Sequence, residues 1–435
     1  MHDGRFKEIE QILYTKHSLV KKNGLQHIFK ILERIGNPHK RIGRVIHITG
    51  TNGKGSVAYL CSIALMSLNK KVGLYTSPHI RGLTERIKIN GKNISEQDFV
   101  RLYDYVTSFD EHLSFFEIVT LIMLKYFEEQ NVDFSVIEVG IGGLYDTTNV
   151  VDAELCFITS IDYDHMNMLG PTLNDIAFQK AGIIKKDSIC VVGEMMEEQL
   201  EVVKKVASQR GGMIFKVENF FDIKGLDEDY RMVLEDKRNL KRFKMIPVGV
   251  KQPINLSMVI RGLEMIGLNI ELEKFYRMIE NTDIEGRFQI VRISDEADKI
   301  VVLDGAHNPG AIRVLIENMR FFGFDEKRWT LVFSIFSNKD YKTVIKNIAD
   351  TSFFDRVIIT MVDNPKKLSP YLIANMYMEY KKDVDVSVVD SSKAAFEFAL
   401  RVSDNVCVTG SFYLVSEIIE LMTKRMEDFY ERNRG

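Results

Sequence analysis

Cysteine is scarce in this chain and forms no pattern: Cys61, Cys156, Cys190 and Cys407 stand in apolar surroundings with no C-x-x-C pair among them. That excludes a disulfide framework and a zinc ribbon, and leaves four reduced core residues. Long apolar runs are missing as well. No uninterrupted stretch reaches the roughly 18 residues of a bilayer-spanning helix, so no membrane partner is expected. The opening residues MHDGRFKEIEQ lack the apolar centre of a signal peptide, and a cytoplasmic protein is expected. An excess of one charge is lacking too. The formal net charge is -3 and the lysines are interleaved with acids, which leaves no electrostatic footprint for nucleic acid. The substrate is therefore expected to be small and the protein a monomer. No internal repeat or low-complexity tract is visible.

What the chain has is size and alternation. Its 435 residues exceed one ordinary core and imply two domains. Short β-branched runs at 44–49, 71–76, 134–140, 154–160 and 188–193 alternate with amphipathic stretches at 55–69, 96–108, 115–130 and 173–184. That is the sequence form of a parallel sheet wrapped by helices. Residues 211–250 suit a small antiparallel excursion, and helical periodicity returns at 252–267 and 271–281. A second series follows, with strands near 299–304, 329–334, 355–361, 385–389 and 405–409 and helices between and after them. The predicted fold is α/β: an N-terminal P-loop ATPase domain over 1–285, and a smaller Rossmann-like α/β domain over 286–435. A linker is predicted at about 283–298.

The string GTNGKGSV at 50–57 lies where the strand Val45-Ile46-His47-Ile48 turns into a helical run starting near Lys54. Strand, glycine loop and helix in that order make a phosphate cradle. Gly50, Gly53 and Gly55 let the backbone wrap an anion, and the amides of Thr51, Asn52 and the new helix N-terminus point at phosphate oxygens. Lys54 adds a point charge, and Ser56 supplies a hydroxyl for magnesium. Gly55 separates the lysine from the serine, so the string is not the common G-x-x-x-x-G-K-[ST].

Glu138 ends an apolar strand just before GIGG, at the strand edge where open α/β sheets place ligands. It reads either as a metal carboxylate or as the cap of a turn. Asp162, Asp164 and His165 follow the next strand, with Lys180 on the helix after it. His165 reads as a loop residue or, beside anionic oxygens, as a ligand. In the second domain VVLDGAHNPGAI at 301–312 again runs from strand to helix. Asp304 there suits nucleotide hydroxyls and His307 an anion, unless Asn308 and Pro309 simply start the helix. Arg287, in the linker, can fork onto phosphate or carboxylate oxygens, or stay solvated.

In order and spacing, these motifs resemble the folylpolyglutamate synthase and dihydrofolate synthase family, which is related to the Mur amide ligases. The landmarks are LERIGNP at 32–38, HITGTNGKGSV at 47–57, TSPHI at 76–80, ERIKING at 85–91 and EVGIGGLYDTTN at 138–149. They continue with DYDHMNMLGPTLNDIAFQKAGIIK at 162–185, GRFQ at 286–289, DGAHNPGA at 304–311 and VTGSFYLVSEI at 408–418. The resemblance implies an active site in the cleft between the domains. There, ATP would phosphorylate a folate carboxylate and the amine of L-glutamate would then form an amide. It assigns Lys54, Ser56 and Glu138 to the phosphate and first-magnesium site with Ser77 nearby, and His165 to a second magnesium ion. Lys180 matches a lysine that many members carry as a carbamate, a form that turns a cation into two hard oxygens; the alternative is an ordinary helix-surface lysine. Asn255, Arg287 and Asp304 match nucleotide contacts, and His307, Ser411 and Tyr413 the glutamate side.

One departure stands out. The family often shows G-x-H-Q-x-x-N where this chain reads Gly249-Val250-Lys251-Gln252-Pro253-Ile254-Asn255, so the glutamine and asparagine remain and the histidine is gone. The resemblance leaves open whether the folate substrate is dihydropteroate, a tetrahydrofolate or both. A muramoyl-type ligase is disfavoured by the short segment ahead of the first strand. A P-loop switch would need neither a second-metal cluster nor the DGAHNP domain.

Overall fold

The computed structural model describes residues 2–16, 24–246, 248–293 and 299–432. It divides into two compact units, one made of Met1–Phe221 with Pro253–Met278, the other of Asp222–Gln252 with Ile279–Gly435. The division is discontinuous where the sequence reading placed a single cut at 285/286.

In the first unit the strands are β1 (Arg44–Thr49), β2 (Val72–Tyr75), β3 (Ile87–Ile89), β4 (Lys92–Asn93), β5 (Phe134–Glu138), β6 (Leu155–Ser160), β7 (Ile189–Glu194) and β8 (Met213–Lys216). They form a sheet in the order β4-β3-β2-β5-β1-β6-β7-β8. The run from β2 to β8 is parallel, and at the edge β3 pairs antiparallel with both β2 and β4. Strands covered on both faces are buried along their length, and β1 and β5 are, although His47 and Ser135 interrupt their apolar runs. The helix Phe115–Glu129 starts at a capping box between Ser114 and Glu117. The helix His2–Thr15, absent from the sequence reading, sends Phe6, Ile9 and Leu13 into the same core as Phe99 and Phe127.

Strand order decides where the site lies. β1 has β5 on one side and β6 on the other, so the chain leaves it in two directions, and open α/β sheets bind ligands beyond the strand ends at such a point. The register pairs Ile48 with Glu138 and Thr49 with Ile158, which brings the ends of β5, β1 and β6 to one edge.

The second unit carries β9 (Phe221–Leu226), β10 (Met232–Asp236) and β11 (Arg242–Met245) as a small antiparallel sheet, the expected excursion. Its larger sheet uses β12 (Gln289–Ile293), β13 (Lys299–Asp304), β14 (Trp329–Phe333), β15 (Phe354–Met361), β16 (Asp385–Ser391) and β17 (Asn405–Thr409) in the order β12-β13-β17-β14-β15-β16. β12 is antiparallel to β13 and the rest are parallel. This corrects the linker: Gln289–Ile293 is an edge strand, because its residues pair in register with the buried β13. Residues 294–298 of the expected linker lie outside the described residues. All four cysteines are free and buried. Among the described residues no helix is long and apolar enough to cross a membrane.

Candidate active site

The glycine loop leaves β1 with φ of 149° at Gly50 and 86° at Gly53, values that L side chains rarely adopt. Space also demands glycine at the first position, since a methyl group there would fall 1.9 Å from Thr159 Oγ1. Gly55 needs no such freedom; it lies buried inside the helix Lys54–Ser67. That helix begins at Gly53 with no side-chain cap, which leaves its first amides to an anion.

The loop is tied to the end of β6. Thr51 donates its N–H to the Ser160 carbonyl at 2.9 Å and Asn52 donates to Ser160 Oγ at 3.0 Å. The hydroxyls of Thr159 and Ser160 return to the Asn52 carbonyl at 2.6 and 3.0 Å. Thr51 Oγ1 both donates to the Asp162 carbonyl and accepts the Asp162 N–H. Asn255, from the helix Gln252–Met265, comes so near that a methyl on Gly53 would lie 3.3 Å from its Oδ1.

Two amines converge on one carbonyl. Lys54 Nζ donates to the carbonyls of Gly50 and Thr51 at 3.1 Å, and Lys180 Nζ donates to the same Gly50 carbonyl at 2.7 Å. Lys180 is 3% exposed, on the last turn of a helix started by a Thr172–Asp175 capping box. Burial, and then the neighbouring Lys54, hold its pKa well below the ordinary lysine range, with Asp164 and Asp146 opposing. It is not a helix-surface lysine.

Glu138 is buried at the end of β5, where its Oε2 accepts the Ser77 N–H at 2.9 Å. Ser56 is buried in the first turn of the loop's helix. His165 follows β6 in the left-handed region, φ 50°, with its Nε2 3.7 Å from Asp164 Oδ1. Asp146 was missed by the sequence reading although it lies within EVGIGGLYDTTN. Half-buried, and with its pKa raised by desolvation, it accepts from the N–H groups of Ile141 and Thr148 and from Thr148 Oγ1. Those bonds shape the turn beyond Glu138.

In the second unit Asp304 ends β13 beside Thr409 of β17, so the DGAHNP and TGSFY turns are neighbours. Desolvation pushes the half-buried Asp304 carboxyl up to about 6, against the Ala306 N–H, Arg287 and the Phe288 N–H, which favour its charged form. Arg287 lies with its guanidinium carbon 4.7 Å from the Phe412 ring centre. The turn holding it is pinned by the Gly305 N–H on the Gly286 carbonyl at 2.9 Å. His307 Nδ1 is 2.8 Å from the Gly305 carbonyl and its ring meets Phe412 edge-on. Asn308 caps the helix Pro309–Phe321 by accepting the Ala311 N–H, so this helix start is closed by its own side chain. Ser411 is buried and accepts the Leu414 N–H, while Tyr413 is half exposed against Phe336.

A nucleotide-cradling α/β unit followed by a second α/β unit defines an ATP-dependent amide ligase. The Mur ligase middle domain family matches residues 48–218, and the Mur ligase glutamate ligase domain family matches residues 286–412. A dihydrofolate synthase/folylpolyglutamate synthase of Bacillus subtilis (strain 168) is 31% identical over 419 residues, covering 91% of this chain and 94% of the relative. The Escherichia coli (strain K12) protein of that name is 29% identical over 415 residues, 95% and 94% of the two chains. Among solved structures, folylpolyglutamate synthase from Thermotoga maritima matches with 32% identity and a TM-score of 0.82, over 97% of this chain and 98% of that one. E. coli FolC in complex with DHPP and ADP matches with 27% identity and a TM-score of 0.84, over the same shares. The chain belongs to the folylpolyglutamate synthase and dihydrofolate synthase family. It is an ATP-dependent ligase that adds L-glutamate to a folate carboxylate, and its substrates are small molecules.

Proposed function

We propose that this ligase serves both dihydropteroate and tetrahydrofolate, through one acyl-phosphate route. A carboxylate oxygen of the folate attacks the γ-phosphorus of ATP and ADP departs. The glutamate amine then attacks the acyl carbon, phosphate leaves with the bonding pair, and the nitrogen loses its proton. A free carboxylate is a poor electrophile because its charge is delocalised, so the phosphoryl group supplies the leaving group. The double name of the B. subtilis and E. coli relatives supports two substrates, and the ADP and DHPP held by E. coli FolC support the nucleotide and pterin sides.

Residues 1–285 carry most of the ATP contacts, and residues 286–435 carry the glutamate contacts together with Arg287 and Asp304 for the nucleotide. Gly53, Gly55 and the helix start present amides to the phosphates, while Gly50, Thr51 and Asn52 shape the loop, the N–H groups of the last two being bonded to Ser160; Lys54 offsets the phosphate charge, and Asn255, Arg287 and Asp304 hold the nucleoside end. His307, Ser411 and Tyr413 orient glutamate. Ser56, Ser77, Glu138, His165 and a carbamylated Lys180 are the residues that would hold two magnesium ions, which would offset charge gathering at the transferred phosphoryl group. The donor set fits such ions. Among the described residues no three His, Cys, Asp or Glu side chains form a metal cluster by themselves, and magnesium commonly completes its shell with substrate phosphates and water.

The structural observation that supports the phosphoryl-transfer part of the reading is the pair of amines on the Gly50 carbonyl. A buried lysine beside another cation is readily deprotonated, and the neutral amine is the form that adds carbon dioxide, forming the N–C bond as a proton leaves. The test is ADP release with dihydropteroate and with tetrahydrofolate, each with and without glutamate. Glutamate-dependent release with both is expected; ATP consumption indifferent to glutamate and folate would overturn the reading.

A further inference from the structure

The segment between β2 and β3, residues 76–86, contains Ser77, whose N–H holds Glu138. What holds the segment comes from its own far end. Its base is closed by the Thr76 N–H on the Arg86 carbonyl at 3.0 Å. Its middle is gathered by the Glu85 carboxylate, which accepts the N–H groups of Ile80 at 3.0 Å and Arg81 at 2.7 Å. Its His79 is gripped on both ring nitrogens: Arg86 donates Nε–H to Nδ1 at 2.9 Å, and Tyr14 Oη lies 2.9 Å from Nε2.

These bonds settle the proton. Because Nδ1 accepts from Arg86, the ring proton sits on Nε2 and is donated to the tyrosine oxygen. Arg86 itself is 6% exposed, with its guanidinium carbon 5.1 Å from the Phe115 ring centre and 6.0 Å from that of Phe116. Its Nη1 is buried with no hydrogen-bond partner among the described residues. An unmet buried donor is destabilising, so mere space-filling does not account for an arginine here.

We propose that Arg86 and His79 are positioning residues of the ligase: together they set the place of the Ser77 N–H and, through it, of the Glu138 carboxylate. This rests on the reading of Glu138 and Ser77 as metal-holding residues only for its kinetic arm; the structural arm stands without it. Tyr14 anchors the pair to the first helix and contributes less, because it is half exposed.

The test uses the full chain with His79→Ala, His79→Asn, Arg86→Lys and Tyr14→Phe, each first checked for a cooperative melt. Amide hydrogen exchange at Ser77, Ile80 and Arg81 is read without nucleotide or metal, and then the magnesium concentration for half-maximal ADP release is compared with the KM for glutamate. Losing one buried hydrogen bond of about 1.4 kcal/mol corresponds to roughly tenfold, so His79→Ala should speed Ser77 exchange by about that factor or more while core strands stay protected. His79→Ala and Arg86→Lys should raise the magnesium requirement and leave the glutamate KM unchanged. In His79→Asn the amide oxygen can still take the Arg86 Nε–H, and most of the loss should be restored. Wild-type Ser77 exchange in both His79→Ala and Arg86→Lys would overturn the proposal, and so would a His79→Asn variant as impaired as His79→Ala. Fast Ser77 exchange with an unchanged magnesium requirement would leave the positioning role standing and sink instead the assignment of Glu138 to metal.

Discussion

After β1 the chain turns through Gly50–Gly53 into a helix whose first turn no side chain caps; after β13 it turns through Gly305–Asn308 into a helix that Asn308 caps. The grammar of strand, small-residue turn and helix is shared, but the chemistry is not. An uncapped start keeps its amides for a ligand's phosphate, whereas a capped one has committed them to the protein. The charges differ in the same sense. The first turn gathers two amines on one carbonyl, and the second holds a half-buried acid that accepts two backbone N–H groups. On the proposed reading an anion completes the first turn, and the second turn sets the place of Asp304 and His307 for their ligands.

That contrast can be broken most sharply at the first turn. Lys54→Ala and Glu138→Ala should each lower ligation by a factor of about 100 or more while the melting curve stays near wild type, since one preorganised contact to transferring charge is commonly worth about 3 kcal/mol or more. Steady-state ADP release alongside thermal melting measures both. Near-normal turnover in either variant would mean that the turn is not the phosphate site.

A somewhat smaller loss is expected at Lys180. Lys180→Ala should fall by about tenfold or more and regain part of its rate when a short carboxylic acid replaces the missing oxygens. Lys180→Arg should stay inactive, because a guanidinium forms no carbamate. Carbon-13 spectra of enzyme equilibrated with labelled bicarbonate should show a carbamate signal that the arginine variant lacks. Full activity in that variant would reduce Lys180 to a structural role.

In the second turn the expected effects are on stability. Asp304 holds its proton more tightly folded, with a pKa of about 6 against an ordinary 3.8. Such a group stabilises the fold below its unfolded pKa, and that contribution is lost as pH rises through the folded value. The melting temperature should therefore carry a term that falls as pH climbs from about 4 to about 7, and Asp304→Asn should remove it. Melts across that range compare the two; identical slopes would show the carboxyl to be ordinary. The smallest effect is assigned to Asn308→Ala, which should cost about 1 kcal/mol of stability through the lost cap and leave Lys54-dependent turnover in place. A collapse of turnover without a loss of stability would make Asn308 a ligand contact rather than a cap.

Much of this was legible in the residues. GTNGKGSV announced its turn because glycine spacing and a following helix are local facts, and the β-branched runs announced their strands for the same reason. Glu138 was visible as an acid at a strand end. Other features were not visible. Arg287 read as a linker residue because five residues of β12 carry no strong pattern, and only their pairing with β13 makes them a strand. Asp146 was quoted within a motif and passed over, since nothing local tells a turn acid held by backbone N–H groups from a solvated one. Arg86 and His79 were likewise in view as ERIKING and TSPHI, with no sign that they grip each other.

The sequence by itself determined the elements, the glycine turn and the family, because each rests on short-range spacing or on ordered motifs that a linear string preserves. The tertiary structure decided which elements became neighbours: β5 slips between β2 and β1, and β17 between β13 and β14. It also shifted the proton affinities of buried groups. Lys180 lies 130 residues from the carbonyl it meets, and an amine surrenders its proton only when packing removes water and brings another cation close. Strand order and desolvation depend on the whole folded chain.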